Sequence, residues 1–187
     1  MNIRLTDLIL ELNIRAKEPY AAGTEHEIYK DSKDPNKVYR VVMQGHPDIS
    51  KQAYNWVEIF KKYPQYFPAV YKSTERGASV EKLNTNKAMQ EFDDINNTLR
   101  GEMEETKKLG WFTDLLKDIA EGLDRKSVIN KVGMYLQENE PSLASAFKRY
   151  INLMIKLQPI NSPEHTLDAH AGNFGYDKQG RLKMLDL

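Results

Sequence analysis

Asp168, Asn173 and Asp186 are the residues of this chain whose types and spacing point to chemistry. Asp168 and Asn173 are five residues apart, and Asp186 follows thirteen residues after Asn173. Between them, Phe174-Gly175-Tyr176 reads as a short strand and Asp177 to Gly180 as a turn closed by glycine. Arg181 to Leu185 reads as a second strand with apolar Leu182, Met184 and Leu185. A loop, a hairpin and a carboxylate at the far end of the second strand fold Asp186 back toward Asp168 and Asn173. An Asp in such a loop can accept or orient a hydroxyl proton. An Asn oxygen and a second carboxylate can hold one or two Mg²⁺ ions against a nucleotide's phosphates, because a hard cation takes oxygen ligands. The same residues also fit an ordinary surface hairpin with a solvated Asp at each end.

The elements that must position these residues fall into two stretches. Residues 1–17 have the spacing of a short amphipathic helix through Leu5, Leu8, Ile9, Leu12 and Ile14. Tyr20 to Lys30 reads as strand, turn at Gly23-Thr24, and strand. Asp31 to Asn36 is rich in turn residues, and Lys37 to Val42 is a third strand. Asp48-Ile49-Ser50 can cap a helix over Lys51 to Lys62, whose apolar side is Ala53, Val57 and Phe60, flanked by Trp56 and Ile59. Tyr63-Pro64 ends it. Phe67 to Lys72 is a fourth strand, Ser73 to Gly77 a turn, and Ala78 to Leu83 a fifth strand.

From Asn84 to Gln158 the pattern is helical. Ala88, Phe92, Ile95 and Leu99 mark one helix. Trp111, Phe112, Leu115, Leu116 and Ile119 mark a second, stopped by Gly122. Val128, Val132, Tyr135 and Leu136 mark a third, starting near Asp124. Glu140-Pro141 opens a fourth, with a buried face of Leu143, Phe147, Tyr150, Ile151, Met154 and Ile155. Aromatic and Met residues at this spacing are core.

Composition bounds the function classes. At 187 residues with 40% hydrophobic content, one compact domain or two small lobes is expected. Twenty-seven basic and twenty-seven acidic residues cancel, so net charge predicts neither nucleic-acid nor membrane binding. Without cysteine, disulfides and thiolate zinc sites are excluded, and the four histidines are scattered. No apolar run has the length of a membrane span and the N-terminus lacks a signal-peptide pattern, so a cytoplasmic protein is expected.

Asp168-Ala-His-Ala-Gly-Asn173 fits the kinase catalytic-loop pattern D-x-x-x-x-N, and Asp186-Leu187 stands where D-F-G would begin. His170 and Gly172 also match the small-molecule kinase form, D-x-H-x-x-N. The chain thus resembles the protein-kinase-like superfamily on its aminoglycoside-phosphotransferase side, and in particular short kinase-like proteins of bacteriophages and bacteria. The resemblance spans Tyr20 to Leu187 and implies an α+β, two-lobed fold. Residues 1–83 would form an N-lobe, a five-stranded antiparallel sheet with one helix, preceded by the N-terminal helix. Residues 84–187 would form a reduced, mostly helical C-lobe with the catalytic-loop hairpin.

The resemblance also implies roles. Asp168 would be the catalytic base or hydroxyl-orienting residue, and Asn173 and Asp186 would hold Mg²⁺ against ATP. Gly23 and Thr24 would cover the phosphates, although the family's glycine-rich loop is reduced here to one glycine. Arg40 stands where V-A-I-K has its lysine, and Glu58 would be its helix partner. The Glu81 carbonyl and the Leu83 N–H would read the adenine edge, with Val80 guarding the pocket. On the residues alone, Gly23 also fits a plain hairpin turn, Arg40 an exposed strand arginine, and Glu58 a solvated glutamate beside Lys61 or Lys62.

Other features depart from the family. Thr166-Leu167 replaces the usual His-Arg, no D-F-G glycine follows Asp186, and the sequence stops one residue later. A partner or a second copy would then complete the site, or a small acceptor would be held by residues 84–158. Two readings stand: a minimal ATP- and Mg²⁺-dependent phosphotransferase, and a pseudokinase serving as a protein-binding or regulatory module. A third, a helical interaction protein with a hairpin tail, requires that residues 19–83 form no such sheet.

Overall fold

The computed structural model describes residues 19, 21–22, 26–42, 49–74, 77–162 and 166–186, with backbone alone for 21–22 and 49–55. The helix expected over residues 1–17 and the Gly23-Thr24 turn lie outside the described residues. The chain is α+β and divides into two compact units, Met1–Leu83 and Asn84–Leu187.

The first unit is built on an antiparallel sheet with strand order β1-β2-β3-β5-β4. Its four full strands are β2 (His26–Lys30), β3 (Lys37–Val42), β4 (Val70–Thr74) and β5 (Gly77–Glu81). The two-residue β1 (Ala21–Ala22) adds to the β2 edge. The β2–β3 connection is held by its own acids. Asp31 Oδ1 accepts from the backbone N–H of Lys33 at 2.7 Å and of Asp34 at 3.0 Å, and Asp34 Oδ1 accepts from Asn36 N–H at 2.9 Å. Short side chains that bond the backbone two or three residues on are what such a turn requires. Tyr39 donates its hydroxyl to Asp31 Oδ2 at 2.8 Å, tying the turn to β3.

Helix α1 (Ile49–Lys62) buries Trp56, Val57 and Phe60. Phe60 stacks on Phe67 at 4.7 Å between ring centroids, and Trp56 meets Phe60 edge-on at 4.9 Å. The fourth and fifth strands differ from their expected bounds. Phe67 N–H still bonds back to the Tyr63 carbonyl at 3.2 Å and Pro68 has no N–H to give, so β4 begins only at Val70. Gly77, expected in the turn, is the first residue of β5. A Cβ there would run into the Arg40 carbonyl on β3, so the close pairing of the two strands requires glycine.

The second unit packs four α-helices and a hairpin around an aromatic core. The helices are α2 (Thr85–Thr98), α3 (Trp111–Ala120), α4 (Lys126–Asn139) and α5 (Pro141–Leu157). The hairpin is β6 (Phe174–Tyr176) with β7 (Leu182–Met184). Asn84 caps α2 by accepting from Lys87 N–H at 3.2 Å. Pro141 opens α5 at a position that needs no N–H. Phe92, Phe112, Phe147, Tyr150 and Phe174 form one ring cluster, and Tyr150 donates its hydroxyl to the Ala88 carbonyl at 2.7 Å. Among the described residues, no helix is long and apolar enough to cross a membrane.

Two polar networks fix the hairpin. Tyr176 donates to Glu91 on α2 and accepts from Arg149 Nε on α5 at 2.8 Å, while Arg149 also reaches Glu91 at 3.1 Å. Burial, reinforced by the Glu91 carboxylate, pushes the Tyr176 phenol up to about 12. Inside the β6–β7 turn, Asp177 is buried and accepts from Gln179 N–H at 2.9 Å, Arg181 N–H at 2.8 Å and Arg181 Nε at 2.6 Å. Lys183, within the strand expected over Arg181 to Leu185, is itself buried, with its ammonium 3.6 Å from Asp177. Burial works against charge on Asp177. Its bonds from Arg181 and the nearby cations outweigh that and hold the carboxyl below the usual carboxylate range.

Candidate functional site

In the second unit, the segment from Leu167 to Asn173 alternates. Leu167 and Ala169 are buried, at 2% and 0% exposure, while the side chains of Asp168 and His170 are about half exposed. The apolar pair anchors the loop and the polar pair faces solvent. The loop then closes on itself: His170 N–H donates to the Asp168 carbonyl and Asn173 N–H to the His170 carbonyl, both at 3.0 Å.

The Asn173 side chain is turned by two bonds. Its Nδ2 donates to the Asp168 carbonyl at 3.0 Å and to Asp168 Oδ2 at 3.3 Å. With Nδ2 committed to Asp168, Oδ1 faces away from it and accepts no hydrogen bond among the described residues. The backbone carbonyl of Asn173 accepts from Leu185 N–H at 2.8 Å, extending the hairpin by one rung beyond the Phe174–Met184 pair. Asp186 is the next residue after that rung. The hydrogen bonds of the loop tie Asn173 to Asp168, and the hairpin register ties Asn173 to Leu185, the residue before Asp186.

His170 has a defined role in this loop. Gly172 N–H donates to His170 Nδ1 at 3.1 Å, so Nδ1 is the acceptor and Nε2 carries the proton. That N–H lies 3.3 Å from Asp168 Oδ2. A Cβ on residue 172 would sit 3.0 Å from His170 Cε1, so the ring would have to give way by a few tenths of an ångström. The His and the Gly of the D-x-H-x-x-N pattern thus work as one unit. Oδ2 of Asp168 is held by Asn173 and His170, and Oδ1 faces Lys117 Nζ on α3 at 3.7 Å. Lys117 was not legible as a site residue, because it lies 51 positions before Asp168 on an ordinary amphipathic helix.

Among the described residues, no group of three or more His, Asp or Glu side chains could hold a metal ion by itself. An amide oxygen and a carboxylate, Asn173 and Asp186, are the hard oxygen donors on hand. They suit Mg²⁺ when phosphate oxygens and water fill the remaining positions.

In the first unit, Arg40 pairs across the sheet with Ile28 and Ala78 and is buried at 6% exposure, so it is not an exposed strand arginine. Its guanidinium lies 3.1 Å from His26 Nδ1 and 4.8 Å over the Trp56 ring. Glu58 does not take the expected place beside Arg40. It is exposed and pairs with Lys61 at 3.0 Å. The reason is helical phase: Trp56, Val57 and Phe60 define the inward face of α1, and Glu58, two residues from Trp56, points away from it. Among the α1 side chains described, Trp56 rather than Glu58 meets Arg40.

At the end of β5, Glu81 N–H donates to the Ala69 carbonyl at 2.8 Å, and Glu81 Oε2 accepts from Ala69 N–H at 3.3 Å. Val80 is buried at 4% and Leu83 at 7%. Gly23 and Thr24 lie outside the described residues.

No protein-family model matches the chain, and no curated protein does. Solved structures similar to it are aminoglycoside phosphotransferases of the protein-kinase-like fold. The gentamicin complex of APH(2")-IIa is 13% identical with a TM-score of 0.42, covering 100% of this chain and 70% of that one. The streptomycin–ATP ternary complex of the same enzyme is 12% identical at 0.38, covering 100% and 71%. ADP-bound APH(2'')-Ib is 11% identical at 0.38, covering 97% and 71%. At these values the likeness assigns this chain neither substrate nor site; those stand on its own residues.

Proposed function

We propose that this chain is a kinase-like phosphotransferase that moves the γ-phosphoryl group of ATP to a hydroxyl acceptor. One observation carries the reading. The bonds that turn the Asn173 amide toward Asp168 leave its Oδ1 open, and its backbone carbonyl is bonded by Leu185, one residue before Asp186. A solvated surface hairpin has no need of that arrangement.

In this reading Asp168 receives or orients the acceptor proton, and Asn173 and His170 hold its carboxylate in place. Asn173 Oδ1 and the Asp186 carboxylate would hold Mg²⁺. When bound, the ion neutralises charge on the phosphate oxygens. In the first unit Arg40 carries the positive charge for phosphate, steadied by the Trp56 ring in place of a glutamate. Gly23 and Thr24 cover the phosphates. The Glu81 carbonyl and Leu83 N–H read the adenine edge; that N–H donates to no acceptor among the described residues. The two units are proposed to serve as N-lobe and C-lobe of the kinase-like fold, with a protein partner or a second copy of the chain as a further component.

A second reading, a pseudokinase that binds a partner without transferring phosphate, is favoured by the burial of Arg40 against His26 and Trp56 and by the Glu58–Lys61 pair. A thermal-shift titration with ATP, with and without Mg²⁺, tests the proposal on wild type and Asp186→Asn. Ligand that binds the native state raises Tm by mass action. The phosphotransferase reading expects a Mg²⁺-dependent rise that Asp186→Asn abolishes. No rise at millimolar ATP sinks it for this chain.

A further inference from the structure

Asp168 Oδ1, the oxygen left over after Asn173 and His170 take Oδ2, faces one cation among the described residues, Lys117. We infer that Lys117 is a second phosphoryl-contacting residue of this site, a cation delivered from α3 to the oxygens of the group in transfer. This rests on the phosphotransferase reading and adds a residue that no motif in the sequence marks.

Three observations support it. First, Lys117 is not occupied by the acids of its own helix. Asp114 pairs with Lys108 at 2.6 Å and Asp118 with Arg125 at 2.7 Å. Among the described residues, Lys117 is the α3 cation directed at the loop. Second, its placement is fixed by a dedicated bridge. Asn161 Nδ2 donates to the carbonyl of Ala120, the last residue of α3, at 3.0 Å, and Asn161 Oδ1 accepts from Leu167 N–H at 3.1 Å. One side chain thus ties the end of α3, one turn past Lys117, to the residue immediately before Asp168. Third, the pair is open. The side chains of Lys117 and Asp168 are 47% and 48% exposed. An ion pair that exposed adds little to stability, so this lysine matters more for charge at the site than for folding.

An acceptor oxygen held by Asp168 Oδ1 at a hydrogen-bond distance of roughly 2.7 Å lies no more than about 6.4 Å from the ammonium, which a flexible four-carbon stem readily closes. In the step itself the acceptor oxygen forms a bond to the γ-phosphorus. The bond from that phosphorus to the bridging oxygen breaks, and ADP leaves with the electron pair. The acceptor proton passes to Asp168 Oδ1 and then to solvent. Negative charge is spread over the three γ-oxygens throughout. A preorganised ammonium beside them stabilises that state more than it does bound ADP.

The test uses ADP with Mg²⁺ and fluoroaluminate, a stand-in for the phosphoryl group in flight, on wild type, Lys117→Gln and Lys117→Arg, read by thermal shift and by titration calorimetry. The expected result is equal ADP binding by all three. Fluoroaluminate would add a further rise in wild type, weakened about tenfold or more in Lys117→Gln and largely restored in Lys117→Arg. Fluoroaluminate binding unchanged in Lys117→Gln, or absent in wild type that does bind ADP, overturns the role of Lys117 and leaves the nucleotide site standing. Failure of wild type to bind ADP at all overturns the phosphotransferase reading and this inference with it.

Discussion

Removing the Asn161 side chain should loosen the loop that carries Asp168 from the helix that carries Lys117. In Asn161→Ala, the Ala120 carbonyl loses its 3.0 Å donor and the Leu167 N–H its 3.1 Å acceptor. Both groups belong to buried residues, at 3% and 2% exposure, so water does not replace the lost partners freely. A hydrogen bond contributes roughly 1 kcal/mol net, and a buried group left unpaired costs about 1–3 kcal/mol. Two such groups, in a bridge that is only half-buried at Asn161 itself, predict a loss of about 2–3 kcal/mol. Asn161→Asp should recover little, because it keeps an acceptor for Leu167 but turns a carboxylate toward the Ala120 carbonyl. Urea denaturation followed by fluorescence reads this directly. Trp111 lies on α3, so in a Trp56→Phe background the signal reports the second unit. A change below about 0.5 kcal/mol with an unchanged urea dependence would refute the bridge.

Three further perturbations test other joints. Tyr150→Phe removes the buried 2.7 Å bond to the Ala88 carbonyl and should cost about 1 kcal/mol in the same assay, with no change in secondary structure by circular dichroism. Gly77→Ala sets a Cβ against the Arg40 carbonyl and should destabilise the first unit by about 1–3 kcal/mol, read through Trp56 fluorescence; a neutral result would contradict the β3–β5 pairing. The Asp177 carboxyl is depressed in the folded state, so its contribution is present above its unfolded value of roughly 3.9 and is lost as pH falls through the lower folded value. Stability should therefore drop below about pH 4, and Asp177→Asn should lower stability at neutral pH while flattening that acid dependence.

Much of the hairpin was legible because its signals are local. Asp177 and Gly180 mark the turn, apolar residues mark the strands, and Leu185 pairing with Asn173 follows from the register. The tie between Asp168 and Asn173, five residues apart, is local in the same way. What failed to show needed the third dimension. The choice of Glu58 as the partner of Arg40 went by residue type, whereas the phase of α1 turns Trp56 inward and Glu58 outward. Lys117 and Asn161 are far from the loop in sequence and act through a helix end that only packing brings close. Lys183 is buried because Asp177, already wrapped by the turn, supplies a counter-charge behind it. The ends of β4 moved because Phe67 stays bonded to Tyr63.

The most direct test of the account is calorimetric titration of ATP into wild type, Asn173→Ala and Asp186→Asn, each with and without Mg²⁺. One-site binding is expected that depends on Mg²⁺ in wild type and is at least about tenfold weaker in either variant, since Asn173→Ala removes an oxygen donor from the metal and Asp186→Asn exchanges a charged carboxylate for a neutral amide oxygen. No binding at millimolar ATP, or binding that ignores both Mg²⁺ and the two substitutions, would contradict it.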